Sequence, residues 1–176
     1  MKEYTSDLSS KCIFVSHCLL AQAVVARGLA QTSAAIVKPV VQFCMDNNIN
    51  IFQMPCPEVE CAAGGLGRNL HGKKWYEENG LREICSHIAK EQVGYMKKLS
   101  LAGCQTLAIV GVEFSPACAP TYLNIGRRVV RDKGIYIEEL ERELEEQELK
   151  VAFIGVNQRW LKKLSKQFND VLVRSC

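Results

Sequence analysis

The sequence has no long hydrophobic run and little excess of charge. None of the apolar stretches among its 176 residues approaches the roughly 18 residues that a membrane-spanning helix needs. Residues 1–11 lack the apolar segment of a signal peptide, so we expect a cytoplasmic protein that does not bind membranes. Lysine and arginine number 22 against 19 for aspartate and glutamate, an excess too small to predict nucleic-acid binding.

The sequence also lacks any pair of cysteines separated by two residues, although it contains nine cysteines. Without the Cys-x-x-Cys spacing, a zinc ribbon has no support. An odd number of cysteines in a reducing compartment favours free thiols or metal ligands over disulfides. Thiol or metal chemistry is therefore the first function class to consider.

Composition and patterning predict one α/β domain. The apolar fraction of 48% and the charged fraction of 23% are those of an ordinary globular protein. We expect a single domain over residues 1–176, with any disorder confined to residues 1–10. Short apolar runs alternate with helical patterns, which predicts a three-layer Rossmann-like fold with a mainly parallel sheet of four to five strands. The predicted strands are residues 12–15, 49–54, 106–112 and 150–156, with a short fifth at 171–173.

Helical spacing of apolar residues predicts a helix after each of the first four strands. The third of these helices carries seven glutamates, which predict a solvated face, while Leu140 and Leu144 face inward. Residues 64–79 are predicted to form a long loop, and residues 121–135 fit no single element. The helices are expected from Thr32 or Ser33 to about residue 45, at 81–99, at 137–149, and from Asn157 or Gln158 to about residue 168.

Three cysteines, Cys18, Cys56 and Cys118, each follow a predicted strand. Parallel strands end at the same edge of a sheet, and α/β proteins bind ligands there. If the first and third strands lie beside the second, strand ends about 4.8 Å apart would bring the three thiols together. Prolines on both sides of Cys56 and of Cys118 would stiffen their loops.

Three converging thiolates indicate a metal. Soft sulfur ligands favour zinc, copper(I) or an iron–sulfur cluster, and three protein ligands leave the open position that a catalytic site needs. The alternative for each cysteine is burial in the core, because free cysteine is often buried. Cys61 is a candidate fourth ligand or redox partner. Core burial is the prediction for Cys12, Cys44, Cys85 and Cys104.

Three short motifs carry a family resemblance. Ser-His-Cys-Leu-Leu at 16–20, Cys-Pro-Glu-Val at 56–59 with Gly-Gly-Leu at 64–66, and Ser-Pro-Ala-Cys at 115–118 resemble the signatures of the thiouracil-desulfurase-like desulfidases. The resemblance spans about two thirds of the chain, residues 12–120. Each motif is weak alone, but their order and spacing together are fairly specific.

The resemblance implies a [4Fe-4S] cluster held by only three cysteines, here Cys18, Cys56 and Cys118. In that family the iron without a cysteine takes up sulfur from a thiolated nucleobase, hydrogen sulfide is released, and the oxo base remains. The catalytic carboxylate of the family corresponds to Glu58 and its catalytic serine to Ser115. The implied partner is a small molecule, a thiolated pyrimidine base or nucleoside.

The chemistry of the residues agrees with this assignment. Replacing C=S by C=O needs a group that binds sulfur, an activated water and proton transfer. Glu58, two residues from a cysteine ligand, is placed for acid–base work, and Ser115 can share a hydrogen bond with it. The alternatives are a carboxylate that caps backbone amides and an ordinary Ser-Pro turn.

The loop after Cys56 contributes candidate substrate contacts. Gly64, Gly65 and Arg68 are predicted to bind substrate, since backbone amides and a guanidinium can contact a base or phosphate. A flexible turn is the alternative. The loop continues with Lys73 and Lys74 beside Trp75 and Tyr76. These four could contact a nucleotide's phosphate and stack its base, unless the aromatic rings dock on the core.

The sequence thus predicts an iron–sulfur-dependent desulfidase. One alternative is a non-catalytic α/β module that binds zinc, copper or a small molecule through the three thiolates. A second is a partner-binding protein that uses the acidic helix as an interface. RNA as a substrate has no specific support, and the oligomeric state is not predicted.

Overall fold

A four-stranded parallel sheet forms the centre of the structure, a computed structural model that describes residues 8–29, 35–61, 64–157 and 164–174. All pairings in this sheet are parallel, and the strand order is β2-β1-β3-β6. The strands are β1 (Lys11–Ser16), β2 (Asn50–Met54), β3 (Gln105–Val112) and β6 (Ala152–Val156).

Strand β1 is central and is buried on both faces. Cys12 and Phe14 point into one core, while Ile13 and Val15 point into the other. Strands covered on both faces read as continuous apolar runs, as β1 does, because every side chain meets a hydrophobic layer.

Helices cover both faces of the sheet. On one side lie α5 (Leu81–Leu101) and α6 (Ile135–Glu146), and on the other α2 (Lys38–Asp46) and α7 (Leu164–Arg174). This arrangement confirms the predicted three-layer, Rossmann-like α/β fold. Among helices in the described ranges, none is both long and apolar enough to cross a membrane.

The strand order differs from the expected one in a way that affects the site. The prediction placed the second strand between the first and third, whereas β1 lies between β2 and β3, with Phe14 paired to both Phe52 and Ile109. The three strands remain contiguous, so their carboxyl ends still share one edge. The loop that follows β1 therefore lies in the middle of that edge.

The predicted fifth strand at 171–173 is wrong, because these residues belong to α7. Leu164 and Phe168, four residues apart, lie on one helical face and are buried against the sheet. Burial of that face outweighs the preference of valine, present at positions 171 and 173, for strands. Of the two predicted first residues of this helix, Asn157 is not helical, and Gln158 lies outside the described ranges together with residues 159–163.

The helix predicted to begin at Thr32 or Ser33 begins instead at Lys38. Residues 30–34, which hold both predicted caps, lie outside the described ranges, and residues 35–37 are not helical. Their backbone is tied elsewhere, since Ala35 accepts a hydrogen bond from the Gln22 amide and the Val37 amide donates to Leu19. The helix ends at Asp46, close to the predicted end.

Two segments contain more structure than the sequence predicts. The expected loop at 64–79 includes a short helix, α4 (Lys73–Glu78). The unassigned segment forms an antiparallel hairpin, β4 (Tyr122–Ile125) and β5 (Arg128–Arg131), whose turn residue Gly126 has a φ of 61°. A positive φ is easily adopted by glycine, which lets the hairpin close over two residues.

The acidic helix α6 is only partly solvated. Leu140 and Leu144 are buried as predicted, but Glu139 and Glu143 are buried as well. Arg82 of α5 bonds to Glu139 at 3.0 Å and to Glu138 at 2.8 Å. The prediction of a solvated glutamate face is wrong for two of its members, and salt bridges to α5 engage part of the acidic charge.

Gly111 of β3 allows the loop that carries Cys118 to pack closely. A Cβ at Gly111 would lie 2.2 Å from the Cys118 carbonyl oxygen. We expect Gly111→Ala to lower the free energy of unfolding by about 1–3 kcal/mol, measured by denaturant titration, because backbone must move. Gly94→Ala in α5 is the control, since a Cβ there meets nothing within 4 Å. Equal stability of Gly111→Ala and the parent would contradict this account.

Candidate functional site

The three signature cysteines lie at the carboxyl edge of the sheet. Cys18 is in a short helix, α1 (His17–Leu20), directly after β1. Cys56 precedes α3 (Pro57–Glu60), two residues after β2, and Cys118 lies in the loop after β3. All three are free cysteines. The parallel order of the strands thus places them on three neighbouring strand ends, as predicted.

Electrostatic coupling shows that these thiols share one region. The pKa of Cys18 is raised to about 12, mainly by burial and in part by the nearby Cys56 and Glu58. Burial also raises the pKa of Cys118 well above its usual value, with further contributions from Cys18 and Cys56. The groups are therefore protonated thiols near neutral pH, and a metal would have to displace those protons to bind.

Glu58 occupies the same region and reaches the loop after β3. Its side chain is largely buried, and Oε1 accepts a hydrogen bond of 3.1 Å from Ser115 Oγ. Ser115 Oγ in turn accepts bonds from the amides of Ala117 and Cys118, at 3.3 and 3.0 Å. Ser115 thus forms the local Ser-Pro turn that was the alternative to a catalytic role. It also contacts the predicted catalytic carboxylate.

The other oxygen of Glu58 is held by two side chains. Arg68 donates to Oε2 from Nε at 3.0 Å and from Nη2 at 2.8 Å, and the Tyr76 hydroxyl donates at 3.1 Å. Arg68 also donates to the Val24 carbonyl at 2.7 Å. Burial by itself lowers the pKa of Arg68, but Glu58 outweighs this and the net pKa is raised. Arg68, predicted to bind substrate, is bonded inside the protein to Glu58.

Tyr76 is a site residue that the sequence did not identify. It was considered only as a ring that stacks a base or docks on the core, and its ring is indeed buried. Burial raises the pKa of its phenol, and Glu58 adds to that shift. Its contact with Glu58 spans 18 residues and follows no local pattern, so only the folded structure reveals it.

The two glycines of the loop pack against α3. A Cβ at Gly64 would lie 2.1 Å from the Glu58 carbonyl oxygen, and the Gly65 amide donates to that same oxygen at 3.1 Å. The Gly64 amide donates to the Cys61 carbonyl. Both amides are therefore engaged within the chain, and substrate binding by Gly64 and Gly65 stays a prediction.

The basic and aromatic residues of α4 also have partners in the protein. Lys73 bonds to Asp132 and Glu138, and Lys74 pairs with Glu78 at the surface. Trp75 stacks on His71, with ring centroids 3.6 Å apart. Nothing in these contacts favours phosphate recognition.

The remaining cysteines mostly follow the prediction of core burial. Cys12, Cys44 and Cys85 are fully buried, and Cys104 is partly buried. Cys61 is buried, and its thiol donates to the Asn79 carbonyl at 3.5 Å. A role for Cys61 as ligand or redox partner stays a prediction.

The donor set of three free thiols is chemically compatible with an iron–sulfur cluster. In the described residues, no three His, Cys, Asp or Glu side chains are grouped closely enough to hold one metal ion. The ligands of an iron–sulfur cluster are cysteine thiolates, so whether Cys18, Cys56 and Cys118 hold one stays a prediction.

The fold and the site together define an α/β protein with thiol, carboxylate and hydroxyl groups at the carboxyl edge of a parallel sheet. No family model matches the chain. Over 131 residues, 74% of this chain and 76% of the relative, the chain is 28% identical to an uncharacterized protein of Methanocaldococcus jannaschii.

A solved structure shares the fold. The chain is similar to the [4Fe-4S]-dependent thiouracil desulfidase TudS, with a TM-score of 0.57 and 18% sequence identity, over 93% of this chain and 99% of that one. At this level of identity the likeness shows the fold alone. The resemblance found in the sequence motifs is therefore supported at the level of architecture.

The buried pair of Glu58 and Arg68 gives a direct test of the site's geometry. Arg68→Met would leave the carboxylate of Glu58 buried without its cation, at a cost of about 3–5 kcal/mol in the free energy of unfolding. Adding Glu58→Gln removes the uncompensated charge, so the double variant should recover much of that loss. A double-mutant cycle by denaturant titration measures the coupling, and strictly additive effects would contradict the pairing.

Proposed function

We propose that this protein is an iron–sulfur-dependent desulfidase that converts a thiocarbonyl into a carbonyl. The overall reaction is hydrolytic: C=S and water give C=O and hydrogen sulfide, with no net oxidation or reduction. The observation that carries the proposal is the contact between Glu58 and Ser115 in the region that Cys18, Cys56 and Cys118 share. The shared fold with a thiouracil desulfidase supports it.

Cys18, Cys56 and Cys118 would hold a [4Fe-4S] cluster. When bound, the cluster supplies an iron atom without a cysteine ligand, which has affinity for sulfur. The loops that bear Cys56 and Cys118 contain prolines, and the backbone of the second is bonded to Ser115. The ligand loops are thus held in place by the protein before any substrate arrives.

Glu58 and Ser115 would carry out the proton transfers. The Ser115 hydroxyl donates to Glu58 Oε1 over 3.1 Å, a distance at which a proton can move between the two oxygens. A water near Ser115 could lose its proton to Glu58 through this contact. The same carboxyl group could then return a proton to the departing sulfur or to the ring.

Arg68 and Tyr76 would act as positioning residues for that carboxylate. Their hydrogen bonds occupy Oε2, which leaves Oε1 facing Ser115. A carboxylate with one oxygen held and the other available has a fixed orientation, and such orientation contributes strongly to enzymatic rate. These two residues therefore act through Glu58 rather than on the substrate.

The proposed substrate is a thiolated pyrimidine, as free base or nucleoside. The likeness to TudS, whose described substrate is thiouracil, supports this class. The basic side chains predicted to contact phosphate also bear on the choice of substrate. Arg68, Lys73 and Lys74 each pair with a carboxylate of the protein, so they offer no support for a nucleotide or RNA substrate.

Sulfide release from 2-thiouracil, 4-thiouracil and their nucleosides tests the proposal. In anaerobically reconstituted protein, Glu58→Gln should lower kcat by about 100- to 10,000-fold, because the proton acceptor is lost. Iron content should not change, since Glu58 is not a ligand. Glu60→Gln is the matched control, because Glu60 lies in the same short helix but is exposed.

Two results would overturn the proposal. One is a cluster-loaded parent protein that releases no sulfide from any of these compounds. The other is a Glu58→Gln variant that keeps both its iron and the parent's turnover. Ser115→Ala is expected to follow Glu58→Gln in direction, since it removes the hydroxyl that contacts Oε1.

A further inference from the structure

Two buried hydroxyl groups beside the cysteines lack hydrogen-bond partners. Ser16 and Tyr136 are 1% and 0% exposed, yet neither Ser16 Oγ nor the Tyr136 hydroxyl makes a hydrogen bond of good geometry to any residue in the described ranges. More than nine in ten buried polar groups in proteins are paired, because an unpaired one costs about 1–3 kcal/mol. Two such groups in one region therefore indicate an acceptor that the protein atoms do not provide.

Ser16 occupies a position where its hydroxyl would ordinarily have a partner. It is the last residue of β1 and the N-cap of α1, but its side chain makes no capping hydrogen bond. Serine is favoured at N-caps because its oxygen normally binds a helix amide. Its hydroxyl instead lies beside the Cys118 thiol. Burial raises the pKa of that thiol, and a weak hydrogen-bonding contact with Ser16 opposes the rise in part.

Tyr136 reaches the same region from helix α6. It lies in the first turn of α6, whose amides at Ile135 and Tyr136 donate to the carbonyls of Pro116 and Ala117. Gly134 permits this contact, since a Cβ there would lie 2.3 Å from the Ala117 carbonyl oxygen. Helix α6 is thereby fixed against the loop that carries Cys118.

The surroundings of the Tyr136 hydroxyl are rich in sulfur. Burial raises its pKa well above the usual value, and the next contributions come from Cys118, Cys85 and Cys56. Neutral thiols are weak hydrogen-bond acceptors, whereas thiolates and sulfides carry negative charge and accept far more strongly. A bound cluster would supply such acceptors where the two hydroxyls now have none.

We propose that Ser16 and Tyr136 donate hydrogen bonds to sulfur atoms of the cluster held by the three cysteines, and that they raise its reduction potential. Hydrogen bonds to the sulfurs offset negative charge and are one of the means by which proteins set the potential of an iron–sulfur cluster. The inference rests on the cofactor of the proposed function but not on its substrate or reaction.

The test is a potentiometric titration of the reconstituted protein, followed by electron paramagnetic resonance. Ser16→Ala and Tyr136→Phe should each shift the midpoint potential to more negative values, and the double variant should shift it further. Ser86→Ala and Tyr95→Phe are the matched controls, because both residues lie on α5 and Tyr95 is 44% exposed. Ser16→Thr, which keeps the hydroxyl, should stay near the parent potential.

The possible outcomes separate this inference from the proposed function. Unchanged potentials in Ser16→Ala and Tyr136→Phe, with full iron content, would overturn the inference even if sulfide release continued. Shifted potentials in a protein that releases no sulfide would support the inference and overturn only the desulfidase reaction. If Ser16→Ala loses iron, Tyr136→Phe decides the question, because Ser16 is only two residues from Cys18 whereas Tyr136 is distant in sequence from all three cysteines.

Discussion

The buried ion pair between Glu58 and Arg68 is the interaction on which the site depends. A carboxylate this deeply buried is costly unless its charge is compensated, and Arg68 compensates it with two hydrogen bonds to one oxygen. The same guanidinium reaches the Val24 and Gly65 carbonyls. One side chain thus connects α3, the glycine loop and the segment after α1 around a single negative charge.

The charge balance of the region also explains why a metal suits it. Three thiols next to a carboxylate would repel one another if all were ionised, and each protonated thiol is stabilised by this environment. Iron ions of the proposed cluster would reverse that preference, because a coordinated sulfur is a thiolate. Under the proposed function, the three cysteines would become a favourable set of ligands only when positive charge is bound.

Much of the framework could be predicted from the sequence because its causes are local. Apolar runs indicate the four strands. Because parallel strands run in the same direction, Cys18, Cys56 and Cys118 are predicted at one edge of the sheet. Strand order could not be read in this way, because it is determined by pairing between distant segments, and β1 took the central place expected for β2. The error at 171–173 has a similar origin, since the helical burial of Leu164 and Phe168 outweighed local strand preference.

The site was predicted less completely than the fold. The contact between Glu58 and Ser115 was anticipated from the motifs, but the partners of the second carboxylate oxygen were not. Arg68 was assigned to substrate because an arginine in a glycine-rich loop commonly binds ligands, and a sequence does not show which charges neutralise each other internally. The positions of Ser16 and Tyr136, on which their proposed roles rest, depend on the packing of α1 and α6, which no motif encodes.

The central claim is a cluster held by three cysteines, and counting its atoms tests that claim most directly. After anaerobic reconstitution, iron and acid-labile sulfide should each reach about four per chain, as for a [4Fe-4S] cluster. They should fall sharply in Cys18→Ser, Cys56→Ser and Cys118→Ser but not in Cys104→Ser, whose thiol precedes β3 at the opposite edge of the sheet. Zinc in place of iron, or no metal under anaerobic conditions, would contradict the account.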